Sequence, residues 1–198
     1  MQLLKEFFHL CDGGICQDHL SESEKTAVKN KEQLFLTGII QRADVKNGNG
    51  RVYSRKILER EIESYKRLIR EKRALGETDH PETDEVILTR ASHIIEDIWW
   101  EGNDVWGKIR ILKKHPAGKV LESLIEEGVQ LGISSRGVGS ITETNEGIKV
   151  DDDFRLICFD VVHEPSTKNA FLYKESKQGD KIDKDEKIYR LLWDILEK

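Results

Sequence analysis

The stretch that decides the fold is SHIIEDIWWEGNDVWGKIRIL, residues 92–112. Residues 92–100 are rich in β-branched and aromatic side chains, and residues 105–112 alternate between inward and outward positions in the manner of a half-buried strand. EGND (101–104) lies between them and has the composition of a turn. The stretch therefore predicts an antiparallel hairpin on which the rest of the chain can pack.

Further strands and two helices are predicted on both sides of this hairpin. Residues 34–41 and 154–162 are rich in β-forming residues, and shorter strands are expected between residues 129 and 150. Ser54 can cap a helix that extends to about Lys72, and Pro116 begins a second helix that ends at Gly128. These elements predict an α+β fold whose body is mainly antiparallel β-sheet.

The two ends of the chain differ in composition from this body. Residues 1–12 have apolar side chains at helical spacing, which predicts a short amphipathic helix, and residues 13–32 are polar enough to be a linker. At the other end a charged tether precedes IYRLLWDILEK, whose apolar stripe predicts an amphipathic helix. We therefore divide the chain into an N-terminal segment (1–32, a candidate propeptide), a central domain (33–173) and a C-terminal tether with its helix (174–198).

Composition excludes several classes of protein. No run of apolar residues approaches the roughly 18 to 20 that a membrane span requires, and the N-terminus lacks the pattern of a secretory signal. The net charge of −5 argues against a general nucleic-acid binder. The three cysteines, Cys11, Cys16 and Cys158, make neither a disulfide framework nor a zinc-binding pattern, so a reducing cytoplasm is the expected compartment.

Three segments carry residues that are unusual for a purely structural protein. His80 precedes Pro81 in a polar loop, Ser134 and Ser135 lie in the glycine-rich stretch 128–140, and Asp160 interrupts an apolar strand. Each has an ordinary explanation: a surface histidine, a strand with a bulge, and a carboxylate facing solvent. Together they supply a hydroxyl nucleophile, a base and a carboxylate, which is what acyl transfer requires. The sequence contains no G-x-S-x-G elbow and no nucleotide-binding glycine motif.

An ordered set of segments resembles the prohead core proteases of T-even-type tailed phages. These enzymes are in turn similar to the herpesvirus assemblins, a clan of serine proteases with its own β-barrel, so the resemblance implies a mainly antiparallel assemblin-like barrel with helices packed around it. The segments that carry it are NGNGRVYSRKILEREI (47–62), ALGETDHP (74–81), HIIEDIWWEGNDVWGKIRI (93–111), GISSRGVGSITETNEG (132–147) and FDVVHEPSTKNA (159–170).

The resemblance implies a role for each candidate residue. Ser134, the first serine of SSRG, matches the nucleophile, and His80 matches the catalytic base. The third member is Asp160 or His163, and Asp160 is preferred because an in-strand carboxylate can accept the imidazole N–H. This chain has GETDHP where the family pattern is GEL-x-HP, a departure beside the base.

An oxyanion formed by attack of Ser134 would need donors close to the nucleophile. Backbone N–H groups near Ser135, Arg136 and Gly137 are the candidates, with the Arg136 side chain acting directly or through water. The alternative for Arg136 is a structural salt bridge. The resemblance implies neither a metal nor an organic cofactor.

Substrates also follow from the resemblance alone. The phage enzymes cut scaffold and capsid proteins after glutamate in Leu/Ile-x-Glu motifs, inside proheads assembled in the host cytoplasm. Self-processing and self-association are further expectations, and no membrane or nucleic acid is required. Triplets of the same form occur near both ends of this chain, at Leu4-Lys5-Glu6, Leu20-Ser21-Glu22 and Ile195-Leu196-Glu197.

Two other classes of protein compete with a protease. A non-catalytic β-barrel assembly protein of the tail-tube or scaffold type would share the fold but would not need His80 near Ser134. A single-strand nucleic-acid binder could stack bases on Trp99, Trp100 and Trp106, but the acidic residues around them argue against it.

Overall fold

The computed structural model describes residues 2–8, 20–30, 32–129, 131–145, 147–163 and 173–174. These residues form an α+β fold in which strands predominate. In chain order the elements are β1 (Gln2–Phe8), α1 (Glu22–Lys29), β2 (Phe35–Arg42), β3 (Arg51–Val52), α2 (Arg55–Arg70), β4 (Leu75–Glu77), a 3-10 helix (Leu88–Arg90), β5 (Ala91–Glu101), β6 (Asp104–Ile111), α3 (Pro116–Glu126), β7 (Gly132–Gly139), β8 (Ile141–Thr144), β9 (Gly147–Val150), β10 (Arg155–Val162) and β11 (Tyr173–Lys174).

The predicted hairpin is confirmed and lies inside the largest sheet. β5 and β6 pair antiparallel, and their turn places Gly102 at a φ of 58°. The order of strands in this sheet is β11-β2-β6-β5-β4. A second antiparallel sheet has the order β1-β7-β10, and a small third sheet has the order β3-β9-β8.

One hydrophobic core joins the two larger sheets to α2 and α3. Ser54 caps α2 by accepting a hydrogen bond from the Ile57 N–H, as its position in the sequence predicts. The apolar face of α2 then buries Tyr65, whose ring meets Phe159 of β10 edge to face at 5.4 Å between centroids. α3 buries Leu121 in the same core. Both predicted helices are therefore confirmed, and α2 packs against the residue that precedes Asp160.

The two larger sheets approach each other where β4 meets β10. Thr78 forms an isolated parallel bridge with Val161, and the Asp79 N–H donates to the Val161 carbonyl at 2.8 Å. The approach depends on Gly76, because a Cβ there would lie 2.0 Å from the Phe159 carbonyl oxygen and 2.3 Å from His93 Nε2. β1, at the edge of the second sheet opposite β10, also contacts β2. Among the described strands no continuous ladder closes a barrel.

The N-terminal prediction was wrong for residues 2–8. They form strand β1, which pairs antiparallel with β7 from Gln2 opposite Gly139 to Phe8 opposite Ile133. Apolar residues at three- and four-residue spacing fit a helix locally, but pairing with a distant strand overrides so short a pattern. The remainder of the predicted helix, residues 9–12, lies outside the described residues.

The polar segment 13–32, whose composition predicts a linker, contains helix α1. α1 begins at a capping box in which the Ser21 hydroxyl accepts from the Glu24 N–H and the Glu24 carboxylate accepts from the Ser21 N–H. Glu24 also accepts two hydrogen bonds from Lys108 of β6, at 2.9 and 3.1 Å, which fixes α1 against the large sheet. The predicted C-terminal helix lies outside the described residues. No helix in the described ranges is long and apolar enough to cross a membrane.

We expect Gly76→Ala to destabilise the protein strongly. The added methyl group would meet backbone and a buried imidazole, neither of which can move aside freely, so the free energy of unfolding should fall by roughly 3 kcal/mol or more. Gly102→Ala is the control, since no atom lies within 4 Å of its Cβ and only a φ of 58° opposes it. That control should lose about 1–2 kcal/mol in a denaturant titration. Equal losses in the two variants would contradict the steric explanation.

Candidate active site

Three separate elements bring His80, Ser134 and Asp160 together. Ser134 and Asp160 are directly opposite one another on the paired strands β7 and β10. His80 follows β4 and lies between them: its Nδ1 is 3.0 Å from Asp160 Oδ2, and its Nε2 is 2.5 Å from Ser134 Oγ. The structure thus places the predicted nucleophile, base and carboxylate in one hydrogen-bonded chain.

The backbone around His80 explains how the imidazole reaches the strands. Asp79 has a φ of 63°, in the left-handed region that aspartate tolerates better than most residues. Its N–H is held by the Val161 carbonyl, one residue after Asp160. The turn therefore directs His80 back across the sheet edge towards Ser134.

Asp160 is fully buried, and each of its carboxylate oxygens has protein donors. Oδ2 accepts from His80 and from Arg136 Nε at 2.8 Å. Oδ1 accepts from Arg136 Nη2 at 3.1 Å, from the Glu77 N–H at 3.1 Å and from the Cys158 thiol at 3.3 Å. Asp160 thus does not face solvent, which was the alternative considered from the sequence.

This environment determines the charge of Asp160 and the tautomer of His80. Burial alone would raise the pKa of Asp160, but the hydrogen bond from His80 and the charge of Arg136 lower it overall. An ionised carboxylate only accepts hydrogen bonds, so His80 Nδ1 carries the proton and donates it to Asp160. In the neutral imidazole Nε2 is then an acceptor, and Ser134 donates its hydroxyl proton to it.

Arg136 makes a buried ion-pair network instead of pointing at the Ser134 hydroxyl. Its side chain is fully buried, and besides Asp160 it binds Glu77, which is also fully buried, through Nη2. Nη1 donates to the carbonyls of Thr83 at 2.8 Å and Glu85 at 3.2 Å. Burial would lower the pKa of Arg136, but Cys158, Asp160 and Glu77 raise it overall. The salt-bridge alternative is the arrangement observed, and a part for this side chain in stabilising an oxyanion, directly or through water, stays a prediction.

The other predicted oxyanion residues lie in the middle strand of the second sheet. The Ser135 hydroxyl accepts a hydrogen bond from Gln41 Nε2 at 3.2 Å, so it is engaged with β2. A Cβ at Gly137 would lie 2.5 Å from the Phe154 ring, which explains the glycine by close packing. β7 has β1 on one edge and β10 on the other, so its N–H groups belong to two strand ladders.

Several residues of this site were not predicted from the sequence. Glu77, Gln41 and His93 all contact it or its strands, yet each has its partner far away in the chain. His163, the alternative third member, lies after the end of β10 and is exposed, and the hydrogen bond that His80 Nδ1 donates is accepted by Asp160. Within the described residues no three His, Cys, Asp or Glu side chains converge as metal ligands would.

Comparison with known proteins identifies the family. A model of the prohead core protein serine protease family matches residues 10–179, most of the chain. The chain belongs to this family. The prohead core protein protease of Enterobacteria phage T4 is 41% identical over 146 residues, which are 72% of this chain and 69% of that protein. The resemblance drawn from the sequence, and with it the prediction of a prohead protease, is therefore confirmed.

The fold agrees with a solved structure from the same family. The capsid assembly protease of bacteriophage T4 matches with a TM-score of 0.69 and 35% sequence identity. The match covers 83% of this chain and 98% of that one. Nearly all of the solved protease chain thus has a counterpart here.

A buried histidine behind the site should make stability depend on pH. His93 is fully buried and its Nε2 donates to the Phe159 carbonyl at 3.0 Å. Burial lowers its pKa to about 4, against smaller opposing effects of Asp160 and Phe159. Between about pH 6.5 and pH 4 the unfolded chain binds this proton and the folded chain does not, so acidification lowers the free energy of unfolding by up to about 3 kcal/mol.

We therefore expect His93→Gln to flatten the pH dependence of stability. Denaturant titrations at about pH 7 and pH 4 measure the difference for each protein. The variant should start less stable at pH 7 and lose less on acidification, because no imidazole remains to be protonated on unfolding. The same loss in both proteins would show that other groups cause the acid sensitivity.

Proposed function

We propose that the chain is a serine endopeptidase in which Ser134 is the nucleophile, His80 the general base and Asp160 the residue that orients the base. The observation that carries this proposal is the position of the His80 imidazole, 2.5 Å from Ser134 Oγ and 3.0 Å from Asp160. A non-catalytic assembly protein with the same fold would have no need for this chain of hydrogen bonds. The family description favours the same catalytic type.

The geometry supports a conventional acyl-transfer mechanism. Ser134 Oγ attacks the scissile carbonyl carbon while its proton passes to His80 Nε2. Asp160 stabilises the resulting imidazolium, which then gives the proton to the leaving amine as the C–N bond breaks. Water, deprotonated by the same imidazole, hydrolyses the acyl-enzyme and regenerates Ser134.

The oxyanion donors in this proposal are backbone N–H groups of β7. The Arg136 guanidinium is engaged with Asp160, Glu77 and the loop after His80, so it contributes by holding the strand and the carboxylate. N–H groups that are paired in a ladder cannot at the same time stabilise an oxyanion. Withdrawal of β1 would open one edge of β7 and release the donors on that side.

We infer that β1 is a pro-segment that the enzyme removes from itself. Ser134 is fully buried in this conformation, so the carbonyl of a separate substrate cannot reach it. In the register of β1 on β7, Glu6 lies opposite Ser135 and Phe7 opposite Ser134. The bond that follows Leu4-Lys5-Glu6 is therefore beside the nucleophile, as a substrate strand would be.

The second candidate triplet is less suited to cleavage. Ser21 caps α1 and Glu22 is its first helical residue, so a protease would have to unwind the helix before cutting after Glu22. The third triplet, which ends at Glu197, lies outside the described residues. The geometry thus favours Glu6 over Glu22 as the self-processing site.

The substrates and setting proposed for the mature enzyme come from its relatives. We propose that it cuts scaffold and capsid proteins after glutamate in Leu/Ile-x-Glu motifs, within proheads assembled in the host cytoplasm, and that no nucleic acid takes part. The relative of known structure is described as a capsid assembly protease. The division of the chain at residues 32 and 173 and the self-association of the enzyme belong to the same proposal. The bridge at Thr78 and the proximity of β1 to β2 support an assemblin-like barrel.

Replacing the two neighbouring serines separately tests the nucleophile. We expect Ser134→Ala to abolish cleavage of a peptide that contains Ile-x-Glu, because the variant lacks the hydroxyl that lies 2.5 Å from His80 Nε2. Ser135→Ala should retain most activity, since that hydroxyl binds Gln41 instead. Peptide products are measured by mass spectrometry. Loss of activity with Ser135→Ala alone would move the nucleophile by one residue, and wild-type activity in both variants would refute the serine mechanism.

Replacing the two candidate glutamates tests self-processing. We expect Glu6→Gln to block release of the N-terminal peptide and to leave the peptidase inactive, because β1 would then remain on β7. Glu22→Gln is the matched control and should process normally, giving a new N-terminus at Phe7. N-terminal sequencing of the purified protein identifies the site. A fragment that begins at Ser23 and disappears only in Glu22→Gln would contradict the proposal.

A further inference from the structure

A second buried carboxylate lies behind the proposed triad. Glu77 is the last residue of β4, three residues before His80, and is fully buried. One of its carboxylate oxygens binds Arg136 Nη2, and the other accepts from the Ile87 N–H at 2.7 Å. Its own N–H donates to Asp160 Oδ1 at 3.1 Å. Glu77 therefore contacts Asp160 directly and again through Arg136.

Arg136 transmits this contact because its guanidinium is a rigid planar fork. Nε and Nη2 bind the two oxygens of Asp160, and Nη2 also binds Glu77. Because Glu77 fixes the plane of the Arg136 guanidinium, it also fixes the plane of the Asp160 carboxylate. The orientation of that carboxylate in turn decides where it holds His80 Nδ1.

The same two residues also tie down the loop that carries His80. Glu77 closes the loop by binding Ile87, and Arg136 Nη1 binds the carbonyls of Thr83 and Glu85 within it. His80 is therefore restrained at both ends of its loop as well as at Asp160. Loss of Glu77 would loosen the base and the carboxylate together.

Charge gives Glu77 a second effect. Arg136 carries one positive charge between two buried carboxylates, so the group formed by Glu77, Arg136 and Asp160 has a net charge of about −1. Asp160 is the member of this group that contacts His80. The net negative charge therefore stabilises the imidazolium that forms when Ser134 loses its proton. Without Glu77 the remaining Arg136–Asp160 pair would be neutral.

We propose that Glu77 is a positioning residue of the active site, which holds Asp160 and the His80 loop through Arg136. The proposal rests on the serine mechanism proposed above, and it assigns Glu77 no contact with the substrate. Its removal should therefore lower kcat far more than it changes KM, since misplacing a catalytic group by about 1 Å can cost roughly 10²-fold in rate.

The main test compares Glu77→Gln with a matched control, Glu61→Gln. Glu61 is also nearly buried, and its carboxylate accepts from the Leu156 N–H at 2.9 Å and binds Arg60. Neither of these contacts involves the proposed triad. On the peptide substrate, Glu77→Gln should lose about 10²-fold in kcat with KM changed less than about threefold. Glu61→Gln should lose stability and keep its kcat.

Glu77→Asp is the second variant, for the case that Glu77→Gln does not fold. Removing one partner of a buried ion pair can cost about 3–5 kcal/mol, whereas aspartate retains the charge. The shorter side chain cannot reach Ile87 and Arg136 at once, so we expect an intermediate kcat. Thermal unfolding reports on folding, and the far-downfield proton-NMR signal of the His80 Nδ1 proton reports on the bond to Asp160. That signal should shift or broaden in both Glu77 variants and be unchanged in Glu61→Gln.

A folded Glu77 variant with wild-type kcat and an unchanged His80 signal would overturn the proposal. A loss of rate matched by Glu61→Gln would overturn it as well, because buried charge anywhere in the fold would then have the same effect. Ser134→Ala, measured in the same assay, separates a failure of the serine mechanism from a failure of the role proposed for Glu77. If Ser134→Ala is active, the serine mechanism itself fails; if it is inactive while the Glu77 variants behave as wild type, only the role of Glu77 fails.

Discussion

A carboxylate that is buried away from solvent needs a balancing charge and hydrogen-bond donors for its oxygens. Asp160 is such a carboxylate, and several elements of the fold have to supply its partners. Its partners come from β4, β7, β10 and the loop after β4. Arg136 is needed to balance the charge, and Glu77 is needed because a single arginine has donors for more than one carboxylate. An isolated charge in such a position would cost several kcal/mol, so these elements have to assemble together.

This shared requirement links the two larger sheets more specifically than apolar packing does. Tyr65, Phe159 and their neighbours would tolerate small shifts, whereas hydrogen bonds to a carboxylate are sensitive to tenths of an ångström. The glycine at position 76 lets β4 come close enough to β10 for these bonds to form. Stability and the geometry of the proposed catalytic site thus depend on the same contacts, and the site tolerates few changes around it.

Periodicity in the sequence predicted the elements whose stabilising contacts are local or repeated. The hairpin of β5 and β6 and helices α2 and α3 follow from alternation, caps and turn residues. The prediction of a helix for β1 is wrong because β1 pairs with residues of β7 that lie more than 120 positions away. A short apolar pattern carries no information about so distant a partner. α1 had a readable signal in Ser21 and Glu24, which a polar composition concealed.

The candidate site was predictable only in part, for a related reason. His80, Ser134 and Asp160 stand out in the sequence, and a family resemblance implies a role for each of them. The structure brings the three side chains together, and their catalytic roles remain predictions. Glu77 has its partner Arg136 59 residues away, and no spacing rule connects them.

The covalent link between β1 and the rest of the chain has a consequence for timing. A segment tethered to the strand it covers is present at an effective concentration on the order of millimolar, so it rebinds faster than a separate substrate can enter. If the enzyme cuts this tether, as we propose, the released peptide is diluted to the concentration of the protein itself and no longer competes. Under the self-processing proposed above, such a device works once and cannot be reset, and the delay before it acts is set by a first-order event within each molecule. Proteolysis would then begin only after each copy had spent a period intact, independently of how many copies surround it.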